Sequence, residues 1–358
     1  MKLKRIAYTV NVFPKFSETF IANEIAELKR RGVEVLILSR RNPVESLRHP
    51  VVIDNALETH ACYGEKSFLP ALKKFRPQLI HAHFATQPTE LARMLSSVLD
   101  IPFSLTAHCY DIYRRPAADF SERCRHASAV ITVSEANARY MVDVLGAPAT
   151  NLSVIPCGVD TDWFNPKWTR HAKAPLLVCA SRLQPHKNIP VLLHACALLR
   201  DRGKIFRCVV LGDGDDRAKL EALRDSLGLS DLVQFCGLTS QEEVRGWWRE
   251  ASVGLLPSLA EGMPVSLMEA LACAVPVVAT AVGGIPEMIS SGDNGYVVPV
   301  NDPPAMADAV MKILEDPRRA SGMGKSARET ALARFSLDHQ VDRLIDIWQQ
   351  MLHRRQAA

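Results

Sequence analysis

No apolar run in the 358-residue chain approaches the roughly 18 residues that a membrane-spanning helix needs. Any contact with a membrane is therefore expected from its surface. An excess of one charge is missing too. Lys and Arg number 43 against 39 Asp and Glu, a formal net charge of +4, which is too weak for a dedicated nucleic-acid binder. No two of the nine cysteines form a Cys-x-x-Cys pair. Their number is odd and most lie inside apolar runs, which predicts reduced, buried thiols and a cytoplasmic location. The N-terminal MKLKRIAYTVNVFP is basic and then apolar, but its apolar stretch is short and has no small-residue cleavage site. It reads as a first β-strand rather than a signal peptide. There is no short-period repeat and no low-complexity segment.

What is present is a long alternation of strand and helix. Hydrophobic residues make up 47% and charged residues 23%, an ordinary globular balance that excludes disorder, collagen and coiled coil as the main architecture. The length favours two domains. Lys4–Val12, Val33–Ser39, Phe103–Ala107, Ala129–Val133 and Leu152–Ile155 read as strands, and the apolar run ending in His81-Ala-His83 as another. Helices fall at Ser17–Arg31, Ser67–Phe75, Thr89–Leu99 and Glu135–Leu145. Thr161–Pro175 is polar, carries two prolines and lacks a period, so it is expected to be the linker. A second series follows, with strands at Leu176–Ala180, Cys208–Leu211, Val233–Phe235, Val253–Pro257, Val277–Thr280 and Tyr296–Pro299. Short, continuously apolar strands between helices imply α/β domains with parallel sheets covered on both faces. Two Rossmann-like, doubly wound domains are expected, over residues 1–165 and 166–334, facing an interdomain cleft. A final helix, within 335–358, is expected to pack back toward the first domain. Ligands should meet the carboxyl ends of the strands.

Four segments could carry chemistry. In Pro257–Ala272, Glu261 precedes Gly262-Met263-Pro264-Val265, where free backbone N–H groups at a helix start can hold an anion or a hydroxyl-rich ligand. Glu269 lies eight residues beyond Glu261, within an apolar helix where a carboxylate needs a partner. The alternative for the pair is a helix cap and a solvated charge. Arg182 and Lys187 lie on a loop at a strand's carboxyl end and could clamp a diphosphate; as an isolated segment, this is also an ordinary basic surface loop. His108 closes the strand Phe103–Ala107 and is either a cleft residue or a satisfied structural histidine. His81 and His83 close another strand. With His108 they suggest zinc, but no carboxylate or Cys follows at ligand spacing, and no metal site is expected. Leu211-Gly212-Asp213-Gly214-Asp215 reads as a tight turn.

Together these pieces resemble the retaining glycosyltransferases of family 4, which have the GT-B fold. Glu261 to Glu269 is similar to that family's E-x7-E signature. Val275–Ile289, Asn294–Pro299, the Ser181-Arg182-Leu183…Lys187 loop and the Gly212-Asp213-Gly214 turn are also typical of it. In the first half, Ser17–Ile25, His81–Ala85, Leu105–Asp111, Thr132–Glu135 and Pro156–Asp160 resemble exopolysaccharide-building members such as the colanic acid transferases. The resemblance covers nearly the whole chain. It implies that Arg182 and Lys187 neutralise the diphosphate of a nucleotide-diphospho-sugar. Glu269 would accept from the ribose hydroxyls, and Glu261 with Gly262, Met263, Pro264 and Val265 would hold the donor sugar. His108 would stand near the reacting carbon. Ser17, Glu18, Thr19 and Glu135 are assigned to the acceptor side. No cofactor and no divalent metal are implied.

Two departures stand out. The first strand leads into Val12–Phe20 instead of a glycine-rich loop, and Ala274 replaces the glycine of an Ala-Cys-Gly stretch, a change expected to affect packing alone. The implied partners are the donor and a glycan or lipid-linked glycan acceptor. Lys29-Arg30-Arg31, Arg40-Arg41 and Lys73-Lys74 are either a docking surface for the inner membrane face or solvated element ends. The alternative to an enzyme is a catalytically silent sugar-nucleotide-binding partner of another transferase.

Overall fold

The computed structural model describes residues 2–167 and 174–357. Residues 168–173 of the expected linker lie outside the described residues. The chain divides into two compact units, Met1–Gly158 with Leu337–Ala358, and Val159–Ser336.

Unit 1 holds seven parallel strands: β1 (Arg5–Val12), β2 (Glu34–Arg41), β3 (Ala61–Tyr63), β4 (Leu79–His83), β5 (Phe103–Ala107), β6 (Ala129–Thr132) and β7 (Leu152–Val154). Their order is β3-β2-β1-β4-β5-β6-β7. The short β3 was not visible as a strand in the sequence. Alternation along β1 feeds two cores. Ile6, Tyr8 and Val10 join Ile21, Ile25 and Leu28 of the helix Thr19–Arg30. Ala7 faces the opposite way, with Phe68, Leu72, Ala92 and Leu95. The helix Leu337–Ala357 completes the first core with Val341, Leu344 and Trp348. Its fully buried Trp348 donates Nε1–H to Ser104 Oγ at 3.0 Å. Asp338 of that helix pairs with both Arg30 and Arg31, so two of the cations considered for lipid contact are engaged within the unit.

Unit 2 holds six parallel strands: β8 (Leu176–Ala180), β9 (Arg207–Leu211), β10 (Val233–Gly237), β11 (Val253–Leu256), β12 (Val277–Thr280) and β13 (Gly295–Val298). Their order is β10-β9-β8-β11-β12-β13. The helices Ile189–Asp201 and Pro303–Leu314 cover one face with Leu192, Leu193, Met306 and Val310. Part of the expected linker is ordered structure of this unit. Phe164 is buried, and Arg328 Nη1 donates to the carbonyls of Thr161, Phe164 and Ala272 at 2.8–2.9 Å. Polarity and prolines do not exclude ordered structure there, because one aromatic anchor and one guanidinium hold Thr161 to Phe164.

All nine cysteines are free thiols. Cys124, Cys157, Cys179, Cys196, Cys208 and Cys273 are buried, while Cys62, Cys109 and Cys236 are half-buried. Among the described residues, no helix is long and apolar enough to cross a membrane.

Candidate functional site

In unit 2 the strand order reverses between β8 and β11, and an open parallel sheet offers its ligand crevice at such a switch. The loops leaving these two strands are the two segments richest in functional residues. The β8 loop carries Arg182 and Lys187, and the β11 loop carries Glu261 and Gly262. They are tied to each other. Lys187 Nζ lies 2.5 Å from Glu261 Oε1, which also accepts from Ser258 Oγ at 2.7 Å. The backbone N–H of Leu259 donates to His186 O at 2.8 Å. Arg182 is exposed and hydrogen-bonds no side chain among the described residues. The switch thus presents one uncommitted guanidinium beside one ion pair.

Two glycine turns brace these loops. A Cβ at Gly212 would lie 2.1 Å from Ser181 O, and one at Gly214 2.3 Å from Leu183 O. The Gly-Asp-Gly turn therefore has to be glycine so that its backbone can pass against the Arg182 loop. Leu183 N–H donates to Asp213 O at 2.9 Å across this contact. Gly283, at φ +52°, has the same relation to Glu261, whose carbonyl oxygen would be 1.7 Å from an added Cβ. Gly284 N–H donates to Gly262 O at 2.7 Å. Sequence reading missed this brace, although the signal was present as the Gly-Gly of Val275–Ile289.

Pro264, with extended φ/ψ, caps the helix Val265–Ala272. That leaves the first N–H groups of the helix next to Gly262 and Met263. Glu269 is in the same helix and 7% exposed. Burial pushes its carboxyl up to about 7, opposed by a long hydrogen bond from Trp248 Nε1 to Oε2 at 3.4 Å. One helix turn further on, Ala274 takes φ +56°. Its difference from glycine therefore concerns the backbone as well as packing, because a Cβ is strained in the left-handed region.

In unit 1 the order reverses between β1 and β4. The loop after β1 carries Ser17, Glu18 and Thr19. Ser17 is exposed, Glu18 pairs with Lys15, and Thr19 opens the helix Thr19–Arg30. Glu135 follows β6, at the start of the helix Glu135–Asp143, where Ser134 supplies the cap. His83 ends β4 and His108 follows β5. Both are buried, with His83 Nδ1 3.1 Å from His108 Nε2. Asp111 locks this corner by accepting from the N–H groups of Ala85 and His108 at 2.7 and 2.9 Å.

The histidine cluster differs from the grouping considered in the sequence. The side chains with metal-ligand distances are Glu24, His81 and His83, whose donor atoms lie within 4.8 Å of one another. Glu24 comes from the helix Thr19–Arg30, so no spacing around the histidines could reveal it. These atoms already have protein partners. His81 bonds Ser104 through Nδ1 and Thr106 through Nε2, while Glu24 accepts from Tyr8 and Gln340.

The architecture recurs in solved structures. A glycosyltransferase from Rickettsia africae ESF-5 superposes with a TM-score of 0.82 at 18% identity, covering 98% of this chain and 99% of that one. Anabaena Alr3699/HepE, solved in complex with UDP, gives 0.82 at 18% identity, covering 98% and 100%. Two parallel Rossmann-like units of this kind make up the GT-B fold. In sequence, the model described as "Glycosyl transferases group 1" matches residues 161–330, and that described as "Glycosyltransferase Family 4" matches residues 17–163. A relative in Escherichia coli (strain K12), named as the colanic acid biosynthesis glycosyltransferase WcaL, is 28% identical over 326 residues. That match covers 86% of this chain and 78% of the relative. The amylovoran biosynthesis glycosyltransferase AmsK of Erwinia amylovora is 34% identical over 176 residues, 47% of this chain and 43% of the relative. The chain belongs to glycosyltransferase family 4.

Proposed function

We propose that the protein is a retaining glycosyltransferase. It moves a sugar from a nucleotide-diphospho-sugar to a glycan or lipid-linked glycan acceptor during synthesis of an exopolysaccharide or another cell-surface polysaccharide. The observation that carries this reading is the pairing of the β8 and β11 loops at the switch, with Arg182 uncommitted and Lys187 held by Glu261. WcaL and AmsK are named for polysaccharide synthesis, and HepE is seen with UDP and with UDP-glucose. The acceptor hydroxyl forms a bond to the anomeric carbon as that carbon's bond to the diphosphate oxygen breaks. The electron pair leaves with the diphosphate, and the hydroxyl proton goes to the departing phosphate on the same face. Positive charge develops on the sugar and negative charge on the diphosphate. Arg182 and Lys187 stabilise the latter, which is the task a metal performs elsewhere, so no metal is required. Glu269 accepts from the ribose hydroxyls. Glu261 and the backbone of Gly262–Val265 hold the donor sugar. Unit 1 supplies His108 and, around Ser17–Thr19 and Glu135, the acceptor surface. The protein works in the cytoplasm, reaching lipid-linked acceptors from the membrane surface.

The test is thermal stabilisation by UDP, GDP and ADP in the presence of EDTA, on the wild type and on Arg182→Ala/Lys187→Ala. A ligand that binds only the native state raises its stability. One nucleotide should stabilise the wild type and not the variant. Absence of stabilisation by all three would reject the reading.

A further inference from the structure

The buried groups at the carboxyl ends of β4 and β5 form a hydrogen-bonded chain. Glu24 is 1% exposed. Its Oε1 accepts from the Tyr8 hydroxyl at 2.6 Å, and its Oε2 accepts from Gln340 Nε2 at 2.8 Å. Oε1 also lies 3.2 Å from His83 Nε2. An ionised carboxylate only accepts, so His83 Nε2 carries the proton of that contact. A neutral imidazole protonated at Nε2 is an acceptor at Nδ1. His83 Nδ1 faces His108 Nε2 at 3.1 Å; with His83 uncharged, His108 Nε2 is the donor of that bond. His108 Nδ1 is then unprotonated, and it bonds no group among the described residues.

The surroundings hold the His108 ring still. It lies edge to edge with His83 and nearly coplanar with it, with centroids 5.4 Å apart and planes 20° apart. Phe20 and Phe84 flank it at 4.8 Å each. Phe84 takes φ +73°, a conformation costly for a bulky side chain, and its N–H donates to Thr106 O at 2.9 Å. Strain of this kind, next to a buried carboxylate–imidazole–imidazole chain, is characteristic of a site where orientation matters more than stability. His81 stands apart from the chain, since both of its ring nitrogens are taken by Ser104 and Thr106. Burial holds the His108 pKa well below that of an ordinary histidine, so the ring stays neutral.

We infer that Glu24 and His83 are positioning residues that lock His108 in its Nε2–H tautomer. His108 thereby presents Nδ1 as a hydrogen-bond acceptor for a hydroxyl of the sugar being transferred. The nature of that hydroxyl rests on the proposed glycosyl transfer; the tautomer does not. Nothing in the sequence around His108 indicates the relay, because its members come from two strand ends and a helix.

The experiment has a ligand-free arm and a kinetic arm. Ring-15N NMR of the full chain, labelled at histidine, reports which nitrogen of His108 bears hydrogen. The wild type should show Nε2–H alone. A free imidazole populates both tautomers, so His83→Leu and Glu24→Leu should give a mixture. His83→Asn can place an amide oxygen where Nδ1 was and should restore the single form. With UDP-glucose, GDP-mannose and ADP-glucose as donor probes, His83→Leu should lower kcat about tenfold or more, the scale seen when the partner of a functional imidazole is lost. KM for the donor should stay within about twofold, since the loss falls on the reacting complex. His83→Asn should recover most of the rate. Nδ1–H on wild-type His108, or a single Nε2–H form in His83→Leu, would overturn the inference. So would equal rate losses in His83→Leu and His83→Asn. If Glu24→Leu does not fold, the two His83 variants decide. If the wild type turns over none of the probes, glycosyl transfer fails as the reading while the spectra still decide the relay.

Discussion

Lys187 and Glu261 stand 74 residues apart in sequence and 2.5 Å apart in the structure. Each comes from the loop after a strand bordering the switch of unit 2, and both side chains are largely shielded from water, at 14% and 8% exposure. The ion pair joins the two halves of the proposed donor site before any donor arrives. It also keeps the Lys187 charge from standing uncompensated while the site is free of phosphate.

Breaking such a pair strands the remaining charge. Glu261→Ala should destabilise unit 2 by roughly 3 kcal/mol, the scale for removing one member of a buried pair. Adding Lys187→Met should recover part of that loss. A double-mutant cycle by urea denaturation should give a coupling above about 1 kcal/mol, and strict additivity would contradict the geometry.

The Glu269 carboxyl is raised to about 7 from an ordinary value of 4.5, mainly by burial. The native state therefore binds the proton more tightly than the unfolded chain does. Its contribution to stability is largest at low pH and is lost as pH rises from about 4.5 to about 7. Glu269→Gln should remove that decline, with a gain over the wild type of at most about 3 kcal/mol at pH 8. If ribose hydroxyls donate to the ionised form, nucleotide binding should tighten between pH 6 and pH 8 in the wild type. The Gln variant should lack that change. Calorimetry at the two pH values measures both affinities.

Gly283 has no room for a side chain, since an added Cβ would meet Glu261 O at 1.7 Å with φ at +52°. Gly283→Ala should cost more than about 1 kcal/mol and weaken nucleotide binding by displacing the Glu261 loop. Gly246, exposed in the helix Gln241–Glu250, has nothing within 4 Å of an added Cβ. Gly246→Ala should instead stabilise by about 0.5–1 kcal/mol. Thermal melts of the two variants, moving in opposite directions, provide the check.

Trp348 is a fully buried side chain of the unit 1 core, and its Nε1–H reaches Ser104. Trp348→Ala should lose about 3–5 kcal/mol. The loss should appear in unit 1, so hydrogen exchange should rise along β1, β4 and β5 while β8 and β11 keep their protection. Uniform loss of protection in both units would show that they unfold as one.

The strands and most helices were legible because a short apolar run between helical periods needs no distant information. Phe103–Ala107, Leu176–Ala180 and Val277–Thr280 fall where the sequence placed them. The three-residue β3 was hidden, since so short a strand has no period of its own. The β8 and β11 loops could be singled out from residue type and position at strand ends. Glu24 could not. It sits on an amphipathic helix among residues that read as ordinary, and one of its partners, Gln340, lies 316 positions away.

The sequence by itself determined two parallel α/β units and the loops that hold arginine, lysine, glutamate and histidine at strand ends. Periodicity and turn residues act over a few positions, and a few positions suffice for that. Only the tertiary structure decided which loops meet. Strand order brings β8 beside β11 and β1 beside β4, and burial of distant apolar faces sets that order. It is this order that joins Lys187 to Glu261 and carries a glutamate from a helix to the histidines of β4.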